Sequence, residues 1–299
     1  DSVTGTSNND TFAVTDSTLT LGDTISGGNG VDTLNLNAAN AVTAVLPVGA
    51  TVTGVENFNI VGAAAVTATT SEIAGVTSAS VTNSGANNIV LTGSATQDLS
   101  ATNPTLAAGT VTVNGGKNVT VSTGELTASA GTGGALSIGA TTAAAGTVTV
   151  TQAATSGNVS ANSTATAGAI GVTGGTVVNV TQSIAPTAAA AATVLTGTIA
   201  AATNTGGAVT VTGDASTTAV TVTQSAAVAA VSSATIGRVG IVAGAVTVND
   251  VNRASATAAG TIETVTLTNA GAAIVNSGAL KTLNLGGTLV TVNAGTSGA

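Results

Sequence analysis

A short phrase, Gly followed by alternating Val and Thr, returns along this chain and constrains its fold more than any other feature. It reads "GTVTVNGGKNVTVSTG" from Gly109, "GTVTVTQAATSG" from Gly146, "GAIGVTGGTVVNVTQS" from Gly168, "GAVTVTGDASTTAVTVTQS" from Gly207 and "GAVTVNDVNRASA" from Gly244. Successive starts lie 37, 22, 39 and 37 residues apart, so the period is imperfect but present. Alternation with period two places Val on one face and Thr on the other, the pattern of a half-buried strand. One such strand cannot cover its own apolar face. Stacked coils can, because each Val ladder then lies on its neighbour's. The turns between the runs are Gly-Gly, Gly-Asp and Asn-Gly, which tolerate positive φ where a coil bends. The expected fold is all-β, an elongated parallel β-solenoid with Val, Ile and Leu inside.

The size of the core agrees. Hydrophobic residues make up 43% of the 299, yet the only aromatics are Phe12 and Phe58. A thin core with a repeating cross-section suits this better than a thick globule. We divide the chain into calcium-binding coils at 1–60 and a Val/Thr-rich solenoid at 61–299, which continues the first part or forms one unbroken domain with it. Two stretches interrupt the alternation. "APTAAAAATVL" (185–195) is a short helix or an irregular loop, since Pro can start an Ala-rich turn. "SAAVAAVSSATIGRVG" (225–240) bulges from the coil. Both are natural contact surfaces on a solenoid's flank.

Charge excludes several partners. Four basic residues, Lys117, Arg238, Arg253 and Lys281, face twelve acidic ones, for a net charge of −8. Nucleic acid needs clustered Lys and Arg, and these four are scattered. No apolar run approaches the roughly 20 residues of a spanning helix, so no transmembrane segment is expected. Cysteine is absent, which removes disulfides and thiolate metal sites. Abundant Thr, Asn and Gly with almost no Lys suit an exported bacterial surface protein. The start "DSVTG", without Met or signal-peptide features, reads as a fragment or processed piece of something larger.

A motif near the start carries chemistry. "GGNGVDTLN" (27–35) fits the nonapeptide G-G-x-G-x-D-x-aliphatic-x at every fixed position. In that motif glycines turn the backbone so that carbonyl oxygens point inward beside an aspartate, and the aliphatic residue packs in the core. Asp23, nine positions before Asp32, belongs to the preceding half-turn. "GTSNNDTFA" (5–13) is a degraded copy with Asp10 in the aspartate place and Asn8 where Gly would stand, Asn being the next best residue for a left-handed position. The expected Ca²⁺ ligands are the side chains of Asp10, Asp23 and Asp32 and backbone oxygens around Gly27 and Asn29. Consecutive nonapeptides alternate sides, which puts Asp10 and Asp32 together and Asp23 opposite. Asp98, Asp214, Asp250, Glu125 and Glu263 are read as turn or solvent-facing residues.

The opening "GTSNNDTF", then "LGDTISGGNGVDTLNL" and "VTGVENFNIVGAAAVT", resembles in order the RTX-type surface-layer (S-layer) proteins of Gram-negative bacteria, the Caulobacter surface-layer family among them. The likeness continues through "GRVGIVAGAVTVNDVNRASATAAGTIETVTL" and "SGALKTLNLGG". It implies a calcium-dependent parallel β-solenoid, type I secretion and assembly with copies of itself into a two-dimensional lattice on the extracellular cell surface. The family's lipopolysaccharide-holding N-terminal region and its C-terminal secretion signal are missing from these residues, so any anchoring belongs to a region outside this chain.

An enzyme is not expected. Without His or Cys, the His-based triads, thiol nucleophiles and common zinc sites are unavailable. A Ca²⁺-dependent polysaccharide lyase would need a basic proton acceptor beside the Asp cluster in sequence, and none is there. An ice-binding solenoid would use Thr ladders such as "TVTVT" (147–151), but the interrupted period disfavours a long flat face. A calcium-binding adhesin or filament subunit is the nearest alternative to a lattice protein.

Overall fold

A computed structural model describes residues 1–43, 46, 49–71, 73–127, 131–156, 163–186, 202–226, 239–255, 257–287 and 291–294. The fold is a parallel β-solenoid. Eleven strands, from Thr11–Thr15 to Thr282–Gly286, form one long sheet in simple coil order. Nine more, from Val66–Thr69 to Thr291–Ala294, form a second sheet, and Ser2–Thr4, Thr24–Ser26 and Thr51–Thr53 form a short third one at the N-terminal end. Every strand pairing among the described residues is parallel, as coils stacked in one direction require.

The alternation expected from the sequence sets which side chains point inward. In Val111–Asn114 and Val209–Thr212 the valines are buried and the threonines are not. A single core runs from Leu19 to Val275, built of Val, Leu and Ile ladders with Phe58 as its largest member. The long sheet crosses residue 60 without a break, since Thr33–Ala38 pairs with Asn57–Gly62 and that strand with Ser78–Thr82.

The irregular period has a structural cause. Four of the five repeated phrases lie on the nine-stranded sheet, but "GTVTV" from Gly146 lies on the eleven-stranded one, in the strand Thr147–Ser156. The true neighbour of Gly109 on its own sheet is Gly134, opening "GALSI". Coils also differ in length, from 18 residues between Thr264 and Thr282 to 45 between Ala219 and Thr264.

The longer coils carry a flange. Val119–Thr127, Thr147–Ser156, Val177–Pro186 and Ala219–Ala226 run past the main core and return as Gly131–Thr132, Ser163–Thr166, Ala202–Thr205 and Val239–Val242, which form a separate four-stranded sheet. Ala154, Ala165, Ala167 and Ile184 pack between the two layers as a small second core. The expected insertion at 185–195 begins inside this flange, because Ala185 and Pro186 continue a strand; residues 187–195 lie outside the described residues. Ser225 and Ala226 likewise continue a strand, Val239 and Gly240 begin one, and 227–238 lie outside the described residues.

Where the flange leaves the main coil, buried glutamines line up in register as Gln152, Gln182 and Gln224. Gln182 Nε2 donates to Gln152 Oε1 (2.7 Å) and Gly168 O (3.1 Å). Gln224 Nε2 donates to Gln182 Oε1 (2.9 Å) and Gly207 O (3.0 Å). The amides thus tie each coil to the next and satisfy the glycine carbonyls at the junction, where burial would otherwise leave them without a partner.

Candidate metal centre

The turn at 27–32 lies directly on the turn at 5–10. Thr11–Thr15 pairs in register with Thr33–Ala38, and Thr33–Ala38 with Asn57–Gly62, which stacks Asp10, Asp32 and Glu56 at one corner of successive coils. The column is held through carboxylates: Asp10 N–H donates to Asp32 Oδ1 (2.7 Å), and Asp32 N–H donates to Glu56 Oε2 (2.8 Å). The main chain adds Thr33 N–H to Asp10 O and Asn57 N–H to Asp32 O, both at 2.9 Å.

Three expected ligand side chains meet three different surroundings. Asp10 Oδ2 accepts the backbone N–H of Thr6 (2.6 Å) and its hydroxyl (2.9 Å). Asp23 lies on the short third sheet, away from the Asp10–Asp32 corner. Its Oδ2 accepts from Thr20 N–H (2.6 Å) and Oγ1 (2.9 Å), while Oδ1 receives the N-terminal ammonium of Asp1 (2.6 Å). The ammonium and the Thr20 donors hold its pKa down at about 2. Asp32 differs from both. It is fully buried, and its Oδ2 has no hydrogen-bond partner.

The glycines explain how that oxygen is enclosed. A Cβ on Gly27 would overlap Gly54 O and sit 2.5 Å from Asp32 Oδ2, so only glycine lets the coils approach this closely. A Cβ on Gly5 would likewise overlap Gly27 O and sit 2.8 Å from Asp10 Oδ2. Each carboxylate oxygen therefore faces a carbonyl oxygen of the next coil. At Asp32 both are acceptors with no donor placed on the carboxylate side, an arrangement that favours an electropositive centre between them. Gly28 and Gly30 take φ of +101° and +126°, carrying the turn over Thr6 O and Asn8 O. Asn29 stands exposed at the apex.

One detail departs from expectation. Among the described residues Asn269 is the only non-glycine with positive φ, so Asn8 does not take the left-handed conformation assigned to it. Its counterpart one coil on, Gly30, sits far outside the narrow left-handed well that Asn tolerates, and Asn8 adopts a different path instead.

Sequence reasoning passed over Glu56. The signal was there, because "ENFNI" (56–60) repeats "DTLNL" (32–36) in its acidic start and its alternation. It also misread Asp250, which is not solvent-facing but fully buried, with both oxygens hydrogen-bonded. Asp214 caps its own turn through Ser216, Asp98 accepts from Asn118, and Glu263 pairs with Lys281 on the surface. The Glu125 side chain lies outside what is described.

A calcium ion accepts six to eight oxygens, many of them neutral carbonyls and waters, so it does not need three converging carboxylates. Among the described residues no three His, Cys, Asp or Glu side chains gather around one point. The hard-oxygen set at this corner, one carboxylate oxygen without a donor beside glycine carbonyls, fits Ca²⁺ and no softer metal. No protein-family model matches the chain, and no curated protein matches it.

Proposed function

We propose that this chain is a structural protein of the bacterial cell surface, stiffened by calcium at its first coils and assembling with copies of itself into a two-dimensional layer. The observation that carries the calcium part is the buried Asp32 Oδ2, which has no donor and lies against a carbonyl-lined glycine turn. Asp32 and Asp10 are the side chains that would hold the ion, with carbonyls of residues 5–8 and 27–30 around them. The ion would neutralise oxygens that otherwise face one another and so lock the first coils together. The structural role draws support from long stacked sheets without nucleophile or imidazole, and from the order of segments resembling surface-layer proteins. An adhesin stalk or filament would use the same solenoid without the lattice.

Titration calorimetry with CaCl₂ tests the site. The wild-type chain is expected to bind Ca²⁺, and Asp32→Ala to lose at least tenfold in affinity while keeping its β circular-dichroism spectrum. Equal affinity in the two proteins would remove the site from this corner.

A further inference from the structure

Both ends of the eleven-stranded sheet are open edges among the described residues. At the C-terminal end, Leu283 and Leu285 are 36% and 46% exposed, although they stand in register with Val265 and Leu267, which are fully buried. They occupy core positions with no coil above them among the described residues. At the N-terminal end, Phe12 and Val14 are only half-buried, although they pair with the buried Leu34 and Leu36. The end strands Thr11–Thr15 and Thr282–Gly286 both have five residues and run in the same direction around the coil.

We propose that a second copy of this chain covers these ends, the C-terminal end of one molecule stacking on the N-terminal end of the next so that the long sheet continues across the contact. This inference rests on the self-assembly reading above and names its geometry. Charge argues for a second copy. The corner column that begins with Asp10, Asp32 and Glu56 ends with Glu263 and Lys281, as the pairings leading into Thr264–Thr268 and Thr282–Gly286 place them. Stacking that keeps the register sets Lys281 of one copy beside Asp10 of the next. It also sets Leu283 on Phe12 and Leu285 on Val14, restoring the alternation of the internal coils. Contact between like ends would reverse strand direction and bring Lys281 against Lys281.

Open parallel edges with an apolar inner row are templates for added strands. A head-to-tail contact of this kind does not close, so it builds a filament. Each copy would add about 53 Å, eleven strand spacings of about 4.8 Å. Rows of such filaments side by side make a sheet, with lateral contacts left to the flange.

Because the chain has no cysteine, cross-linking reads the contact directly. Ala13 and Asn284 are exposed, outward-facing positions that the stacking places opposite each other, at a spacing a disulfide spans. The variant carrying both Ala13→Cys and Asn284→Cys, oxidised in Ca²⁺, is expected to give a ladder of dimers, trimers and longer chains on a non-reducing gel. Each single-cysteine variant should stay near background. Adding Leu283→Asp should abolish the ladder and Lys281→Glu should weaken it several-fold, while Lys281→Arg keeps it; circular dichroism confirms that each variant folds. Three results would overturn the proposal. The double variant does not cross-link although electron microscopy shows ordered assemblies, which leaves the assembly reading intact. Single-cysteine variants cross-link as well as the double. Or the thiol of the monomeric Asn284→Cys variant resists thiol reagents, which would mean that the chain's own last residues cover the edge. If no assembly forms under any condition, both this proposal and the self-assembly reading fall.

Discussion

Asp32 and Asp250 are both fully buried, yet their carboxylates meet opposite surroundings. Asp250 accepts from the backbone of Val251, Thr261 and Ile262 and from the hydroxyls of Thr261 and Ser277, all within 2.7–3.2 Å. It pins the excursion at 250–262 to the coil. Burial pushes its pKa up, but the hydrogen bonds from Ile262, Ser277, Thr261 and Val251 outweigh that and hold it below the ordinary value. Asp32 has donors on one oxygen only, and that difference makes one aspartate structural and the other a ligand candidate. Removing the Asp250 carboxylate would strand several buried donors, so Asp250→Ala should destabilise the fold by on the order of 3 kcal/mol. Its sign with pH follows. A carboxylate whose pKa is depressed on folding contributes stability above its unfolded value, and that contribution is lost as pH falls through the folded value. Asp23 sets the window, from an ordinary 3.8 down to about 2. The melting temperature followed by circular dichroism should be flat from about pH 7 to 5 and fall below about pH 4, with a shallower fall in Asp250→Asn. An acid profile unchanged by that variant would contradict this account of Asp250.

At the scale of the element, the glutamine ladder marks what patterning conveyed and what it did not. Alternation placed Val148 and Val150 inward, and by the same count Gln152, two positions after Val150, must point inward as well. The expectation that polar residues of these strands face solvent hid this, because a polar side chain at an inward position is stable only beside a partner, and the partner lies in another coil 30 or 42 residues away. The same non-locality hid the flange. Nothing local in Thr147–Ser156 tells that its last residues pass the main core and pair with a neighbour that does the same. Gln182 makes two donated bonds and accepts one, whereas the side-chain carbonyl of Gln224 at the ladder's end has no donor. Gln182→Leu should therefore cost about 1 kcal/mol more than Gln224→Leu in urea unfolding. Equal losses would show that the ladder does not act as a connected unit.

For the whole molecule, the fold class was legible because one physical demand, covering a Val face, repeats in every coil and leaves few alternatives. The first coils were legible for a different reason: glycine is required at Gly27 by the close approach of Gly54, and the motif records that contact in one dimension. Coil length was not legible, since the phrase beginning at Gly146 belongs to a different sheet from its four look-alikes. The claim that joins these scales is that calcium at the Asp10–Asp32 corner orders a solenoid end that then meets another copy. Negative-stain electron microscopy of the purified chain in Ca²⁺, in chelator, and as Asp32→Ala in Ca²⁺ tests it most directly. Ordered filaments or sheets in the first condition alone are the predicted result. Dispersed monomers in all three conditions, or the same assemblies in all three, would contradict it.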